Sequence, residues 1–529
     1  MNTETAAVVP ETTTYDEVPY ESHVFAQTHP RHLYALGRLF GLEAPDFRSA
    51  RVLELGCAAG TNLLSMAYAY PESDCLGLDL SAAQIEQAEA AREATGIKNA
   101  RFQQQDILTF DLDAHAGEFD YVVCHGVFSW VPQAVGDRIL ALCRRCLSDN
   151  GLALISYNAL PGWNSVRSLR EMMLFHAARF DSPEEKVAQA RALLDFLAES
   201  APESGRGGYR TLLDEERQRL RQANDSYLFH DHLETDNRQF YLHEFVDLAE
   251  QNELYYVGDA SLSSMFVGNL PKNAMEKLGG VKNIVQQEQY MDFITNRRFR
   301  STILSKQRDQ IKRTLGSSQF VNSYLTASFA PASESNDLKQ PVTFKTATGA
   351  SFTTNNAAGS ALALALAEAG QRPVYGHVLI EQALERLGAS ANPGQLRGSM
   401  AQLAMNLVMR GMAQLHADCP ESKRSVSERP EAYPLARLQA AHPRCTHVSN
   451  IVHANVKTDP GVNVILRHFD GSRTLDEVAE AVVAASAAGE FTVNRAGQPV
   501  TDPAELRETI TGLVPRVAET LAKNHLLVG

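Results

Sequence analysis

The sequence predicts an α/β protein: a parallel sheet covered by helices, broken by a helical insertion, then smaller α+β units resembling winged helices. Three observations predict it. Residues 51–157 alternate short apolar runs with helical stretches, the pattern of a helix-covered parallel sheet. Residues 164–240 lose the strand pattern and read as helices. Beyond ASFAPASESNDLKQP (327–341) the chain turns to hairpins and helices, and 529 residues are too many for a single core.

The elements follow in order. Strands are expected at RVLELG (51–56), DCLGLDL (74–80), ARFQQQDI (100–107), FDYVVCH (119–125) and GLALISY (151–157), with helices near 60–70, 82–95 and 133–148. Ser81 is placed to cap the second helix. NSVRSLREMMLFHAARF (164–180) is amphipathic. Ser182-Pro183-Glu184-Glu185 opens a further helix with a cap and a first-turn proline. PESGRGGY (202–209) breaks it, and 211–223 is charged and helical. YLHEFVDLAEQN (241–252) and LYYVGDASL (254–262) return to the sheet, and 286–306 reads as one long helix. The stretch 327–341 is a linker by composition. VTFKTATGASFTT (342–354) reads as a hairpin, with helices near 356–370, 376–388 and 393–408 and a strand at GMAQLHAD. A second break at 419–434 precedes helices near 474–487 and 503–525. The expected organisation is a disordered leader (1–18), a sheet core (19–163), a helical insertion or cap (164–240), the rest of the core (241–330), and two winged-helix-like units (342–418 and 435–529).

Composition narrows the function. The net charge is −14, of which −13 falls in residues 1–330. This excludes a sequence-independent nucleic-acid binder. It suits a basic partner near the N-terminal half, and equally a surface kept soluble by acidity. No apolar run reaches the ~18 residues of a membrane span. The first residues have neither the basic start nor the apolar centre of a signal peptide. Seven scattered cysteines fit reduced thiols and a cytoplasmic location. Cys143 and Cys146 form the only C-x-x-C, without a second ligand pair, so no metal site is expected.

The chemistry gathers at three strand ends. ELGCAAGTN (54–62) carries Gly56 and Gly60 between a strand and a helix; Ala58 and Thr61 break the G-x-G-x-x-G fingerprint. Small residues there let a ligand approach the backbone. Asp79 ends the second strand, 23 residues beyond Gly56, where a carboxylate can take both ribose hydroxyls. Asp106, in QQQDIL, ends the third, where a polar side chain can meet an adenine amino group. Each acid alone is equally a helix cap; together they mark a nucleoside site.

ELGCAAG, Asp79 and Gln105-Asp106 resemble the class I S-adenosylmethionine-dependent methyltransferases, which have a Rossmann-like sheet. TYDEVPYESHVFAQTHPRHLYALGRLFG (14–41), CHGVFSWVP (124–132), ISYNALPGW (155–163), YLFHDHLE (227–234) and DFITNRRFRSTIL (292–304) resemble those carrying a methyltransferase regulatory domain. LARLQAAHPRCTHVSNIVHANV (435–456) and HFDGSRTLDEV (468–478) resemble the C-terminal region of bacterial protein lysine methyltransferases, including rickettsial enzymes acting on outer-membrane proteins. The resemblance implies S-adenosyl-L-methionine as cofactor and a protein acceptor such as an outer-membrane or surface protein, and a homodimer is compatible with it. It implies cofactor contacts for Gly56, Cys57, Gly60, Asp79, Leu80, Gln105, Asp106, Ile107 and His125. It places Glu54 against the methionine ammonium and has the stretch around Tyr20 and His29 close over the cofactor.

Trp130 and Trp163, the only tryptophans, follow the fourth and fifth strands. In this fold those loops border the transferred methyl. Many amine methyltransferases have Asn/Asp-Pro-Pro-Tyr/Phe after the fourth strand; here His125-Gly126-Val127-Phe128 stands instead, so that family's amine contacts do not carry over. Trp130, Trp163, Phe128 and Tyr157 are expected to line a channel, aromatic faces favouring a sulfonium or ammonium. His125 is expected to take a proton and Asn158 to orient the acceptor. The tryptophans read equally as packing under the helical cap. The expected activity is methyl transfer to protein lysine amines. Alternatives are a small-molecule methyltransferase and a non-catalytic cofactor-binding regulator. The C-terminal half, with no catalytic constellation, is expected to recruit the acceptor, and a chain ending near Thr326 to keep its cofactor affinity.

Overall fold

The computed structural model describes residues 16, 18, 22–201, 207–333, 337–338, 340–388, 393–495 and 498–529. The leader expected over residues 1–18 lies almost wholly outside the described residues.

The central sheet has eight strands: β1 (Arg51–Leu55), β2 (Asp74–Asp79), β3 (Ala100–Gln104), β4 (Phe119–Cys124), β5 (Leu147–Ala159), β6 (Gln239–Phe240), β7 (Tyr255–Asp259) and β8 (Phe299–Ser305). Their order is β3-β2-β1-β4-β5-β8-β7, with β6 added parallel to the end of β5. The first five are parallel; β8 runs antiparallel to both β5 and β7. Near-continuous apolar strands such as Val52–Leu55 and Tyr121–Cys124 suit a sheet covered on both faces. Chain order reverses between β1 and β4, which makes their carboxyl ends the natural ligand crevice.

Helices α1 (Pro30–Leu39), α2 (Thr61–Ala69), α3 (Ala82–Thr95) and α4 (Gln133–Cys146) cover the sheet. Ser81 caps α3 by accepting from Gln84 N, as its position predicts. The insertion folds as α5 (Trp163–Ala177), α6 (Pro183–Ser200) and α7 (Gly207–Gln222), which share an apolar cluster including Leu169, Met173, Leu194 and Leu213. The helix α8 (Leu242–Gln251) leads into β7.

The long helix expected over 286–306 is not formed. Helix α9 (Ile284–Thr295) stops at Asn296, which takes the left-handed conformation (φ 50°), and the chain continues as β8. Helical propensity loses to pairing, because β8 fills the slot between β5 and β7. Its Arg300 is fully buried against Asp292 (2.7 Å) and Glu288 (3.1 Å).

The linker at 327–341 needs a second correction. Ala327 ends β9 (Tyr324–Ala327), and β10 (Phe329–Pro331) pairs with the hairpin β11 (Val342–Thr346) and β12 (Ser351–Thr354). β9 lies between β13 (Val374–Tyr375) and β14 (Ala413–His416), so the stretch assigned to the end of the core supplies the middle strand of the next unit's sheet. Helices α10 (Ala357–Ala369), α11 (Gly376–Leu387) and α12 (Pro393–Met409) complete that unit. The last region holds α13 (Pro434–Ala440), the pair β15 (His447–Ser449) and β16 (Asn455–Lys457), α14 (Pro460–His468), α15 (Leu475–Ala487) and α16 (Pro503–Lys523). One apolar cluster runs from the sheet and its covering helix α2 (Val52, Leu64) through the middle unit (Phe344, Leu362) to the last (Ile465, Ile510). The C-terminal half is thus packed into the core. No helix among the described residues is long and apolar enough to cross a membrane.

Candidate active site

The loop after β1 is shaped by close approach. Gly56 has φ +69° and Gly60 φ +73°; a Cβ on Gly56 would lie 2.4 Å from Val127 Cγ2, and one on Gly60 2.6 Å from the Phe102 ring. Neither position admits a side chain. Gly56 N and Cys57 N both donate to Leu78 O (2.8 and 3.1 Å), which ties the loop to β2. The Cys57 sulfur lies against Gly77 and is buried, so Cys57 offers the site its backbone alone.

Asp79 does two jobs. Its Oδ2 accepts from Ala58 N (2.9 Å) and its Oδ1 from Ser81 N (3.0 Å). It therefore holds the glycine loop against the end of β2. Burial raises its carboxyl above the usual range. Leu80 is exposed beside it. Asp106 Oδ1 caps the short turn Ile107–Thr109 through Leu108 N (2.8 Å), and Gln105 Nε2 donates to Thr109 Oγ1 (2.8 Å). Both stay at the sheet edge, partly occupied by their own loop.

Glu54, at the end of β1, is buried. Its Oε1 accepts from Asn62 Nδ2 at 2.6 Å; its Oε2 has no partner among the described residues. Burial pushes its carboxyl up to about 8. An acid left half-satisfied in a dry place is built for a cationic group.

The loop after β4 is tied to the end of β5 by two bonds from backbone N–H groups to serine hydroxyls. Gly126 N donates to Ser156 Oγ and Asn158 N to Ser129 Oγ, both at 2.8 Å. Trp130 and Trp163 stand edge to face, 6.0 Å apart. Trp163 Nε1 donates to Asn237 Oδ1 (3.0 Å), and Gln239, two residues on, pairs with Asn158. Asn158 is 2% exposed, and its Nδ2 has no partner among the described residues. An open cleft of about 330 Å³ lies beside Asn237, lined by Arg167, Arg170, Arg238 and Gln239. A larger depression of about 660 Å³, between Asp111–Asp113 and α4, contains none of the candidate residues.

Some expected residues lie elsewhere. Tyr157 faces away from Ser156 and Asn158, because neighbours on a strand point to opposite faces. Its ring stacks on Phe245 at 4.1 Å and its hydroxyl meets Thr302 Oγ1. Phe128 is buried against Phe240 and Phe245. Neither lines a channel. His125 packs against Phe25 (4.4 Å) and Phe299 (5.8 Å), and burial pushes its imidazole down to about 4. It is neutral near pH 7 and a poor store for a proton. His29 caps α1 through Arg31 N and packs against Tyr70 and His453, among contacts that include no strand-end residue. The stretch before α1 reaches the end of the glycine loop instead through Phe25 N and Thr28 Oγ1, both bonded to Asn62. Tyr20 lies outside the described residues.

The sequence reading missed Asn62, Ser129, Asn237 and His453. Asn62 stands within ELGCAAGTN and is legible as a polar residue opening a helix; nothing in sequence ties His453 to that helix, 391 residues from Asn62.

Residues 52–151 match a family described as "Methyltransferase domain", 224–306 the "Predicted methyltransferase regulatory domain", and 428–526 the "PKMT, C-terminal winged helix domain". The uncharacterized protein RP789 of Rickettsia prowazekii is 36% identical over 97% of this chain and 93% of its own length. The structure of PKMT2 from Rickettsia typhi in complex with AdoHcy superposes with a TM-score of 0.87 at 34% identity, covering 97% of this chain and all of that one. The chain belongs to the rickettsial PKMT-type class I S-adenosylmethionine-dependent methyltransferases. Its last region is the winged-helix domain of that family.

S-adenosylmethionine is the cofactor of this methyltransferase, and the crevice fits it. Gly56 and Gly60 leave a cradle without side chains, and the unpartnered Glu54 Oε2 suits the methionine ammonium. Among the described residues, no group of three or more His, Cys, Asp or Glu could hold a metal ion.

Proposed function

We propose that this enzyme methylates lysine side-chain amines of a protein acceptor. The observation that carries the reading is the setting of Asn158, a buried side chain whose Nδ2 has no partner among the described residues, tied through Ser129 to the Trp130 loop and through β6 to the Trp163 contact. Likeness to PKMT2 over the whole chain supports it, because a small acceptor requires no winged-helix unit.

When bound, S-adenosylmethionine supplies a methyl group on a sulfonium. The chain's own groups position the amine. With its amide turned so that the oxygen takes the unpartnered Nδ2 position, Asn158 accepts an amine hydrogen, which leaves the nitrogen lone pair free to attack the methyl in line. With the cofactor bound, the amine would take the methyl as the C–S electron pair leaves with sulfur. Trp130 and Trp163 border the amine and favour the developing positive charge, an effect of ~1–2 kcal/mol when dry. A free lysine titrates near ~10.4, so the amine must lose its proton before attack. A neutral His125 does not hold that proton, which leaves through solvent at the open cleft. Most of the acceleration comes from alignment.

The test is product identity. Bacterial lysate is incubated with the enzyme and methyl-labelled cofactor, then digested and read by mass spectrometry. Label on lysine in peptides, as +14 or its multiples, supports the reading. Label confined to small metabolites overturns it.

A further inference from the structure

The winged-helix domain enters the cofactor site. His453 is 1% exposed and sits at φ +62°, a conformation a histidine adopts only when its surroundings hold it there. They do so through a tight turn. His453 N donates to Asn450 O (3.0 Å), Asn450 N to Ala454 O (2.9 Å), and Ala454 N to Asn450 Oδ1 (2.9 Å). Asn450 is itself anchored through Nδ2 to Asn524 O at the end of α16 (2.9 Å).

From this turn the imidazole reaches into the sheet core. Its Nδ1 meets Ser65 Oγ at 2.9 Å, and its Nε2 meets Asn62 Oδ1 at 3.0 Å. Asn62 Oδ1 is an acceptor, so Nε2 carries the hydrogen and Nδ1 accepts from Ser65. The orientation of Asn62 is set by Phe25 N, which can only donate, and His453 holds the same oxygen from the other side. With its oxygen turned to His453 and to Phe25 N (3.0 Å), its amide nitrogen must face Glu54 Oε1 (2.6 Å) and Thr28 Oγ1 (3.0 Å). A flipped Asn62 would set its amide donor against Phe25 N and withdraw that donor from Glu54 Oε1. Two contacts brace the same seam: Asn455 Nδ2 donates to Val24 O (2.9 Å) and Arg31 Nη2 to Val452 O (3.0 Å).

We infer that His453, from the winged-helix domain, is a positioning residue for the cofactor: through Asn62 it holds Glu54 with one oxygen free for the methionine ammonium. The inference rests on the assignment of Glu54 to that ammonium. It makes the C-terminal domain part of the cofactor site as well as a candidate recruiter of the acceptor.

The test uses the full chain and two ligands in calorimetry. S-adenosylhomocysteine carries the ammonium; 5′-deoxy-5′-methylthioadenosine lacks the amino-acid end. His453→Asn reproduces the Nδ1 position, keeps the Ser65 contact, loses the Asn62 contact and tolerates the left-handed backbone. His453→Gln reproduces the Nε2 position and keeps Asn62. His453→Asn is expected to weaken S-adenosylhomocysteine about tenfold and methylthioadenosine less than about twofold, with His453→Gln within about threefold of the parent on both. Equal loss on both ligands, or no loss on either, overturns the inference. Glu54→Gln is the reference. If it shows the ammonium-selective loss and His453→Asn does not, the relay alone fails. If it binds both ligands normally, the Glu54 assignment fails and takes the inference with it. Asn62→Ser breaks the same link from the sheet side and must show the same selectivity. It decides the matter if His453→Asn does not fold.

Discussion

Trp130 and Trp163 meet edge to face with 6.0 Å between ring centroids and 80° between planes. They follow different strands, and among the described residues Trp163 donates its indole N–H to Asn237. Trp130 is half-buried while Trp163 is buried, so the pair closes the end of the sheet with one ring facing outward. Trp130→Ala is therefore expected to lower kcat about tenfold or more while cofactor affinity changes less than about threefold. Steady-state kinetics and calorimetry on one preparation check this. A fall in Tm with normal turnover per folded molecule identifies plain packing.

Asp79 uses both oxygens on backbone donors. Asp79→Asn turns an NH2 toward either Ala58 N or Ser81 N, so it should harm the site nearly as much as Asp79→Ala. Each is expected to weaken S-adenosylhomocysteine binding by about tenfold or more. Normal affinity in a folded Asp79→Asn protein would show that the loop stands without it.

Glu54 makes cofactor binding depend on pH. Its carboxyl, pushed up to about 8 by burial, is mostly protonated at pH 7 in the cofactor-free protein. An ammonium needs the carboxylate, so binding releases a proton. Affinity for S-adenosylhomocysteine is expected to rise between pH 6 and 8, at most about tenfold per unit, and to level off above 8. Stability runs the other way. A raised folded pKa contributes stability below the ordinary carboxyl range that is lost as pH climbs through 8, so the cofactor-free protein should melt lower at pH 9 than at pH 6, and Glu54→Gln should flatten both trends. Calorimetry in buffers of different ionisation enthalpy counts the proton.

With an amine acceptor, single-turnover rates should rise with pH between 6 and 9 on one limb. His125, down at about 4, contributes no limb in that range, and His125→Asn should leave the shape unchanged. A flat profile with chemistry rate-limiting would contradict an amine that deprotonates in that window.

A chain ending at Thr326 cuts β9 one residue short of its end and removes its partners β13 and β14. It also strips the apolar cluster shared with Phe344, Leu362 and Ile510. Such a chain is expected to aggregate or to lose cofactor binding, contrary to what its composition suggested. A soluble, folded product binding S-adenosylhomocysteine like the full chain would restore the linker reading.

The sequence by itself determined the sheet and its cofactor. Strand–helix alternation, two glycines that no side chain could replace, and an acid after β2 are local signals, set by backbone geometry within a few residues. Ser81, Gly60 and Asp79 could be placed before any contact was known. Tertiary structure decided what depends on distant partners. Helix α9 ends and β8 begins because β5 and β7 leave a slot, and Arg300 tolerates full burial because Asp292 and Glu288 meet it there. Tyr157 and Asn158 turn to opposite sides of the sheet because adjacent strand residues point to opposite faces. Most of all, nothing local marks His453. Its role arises where a turn from the last domain passes under the first helix beyond β1, a juxtaposition that only the packed chain creates.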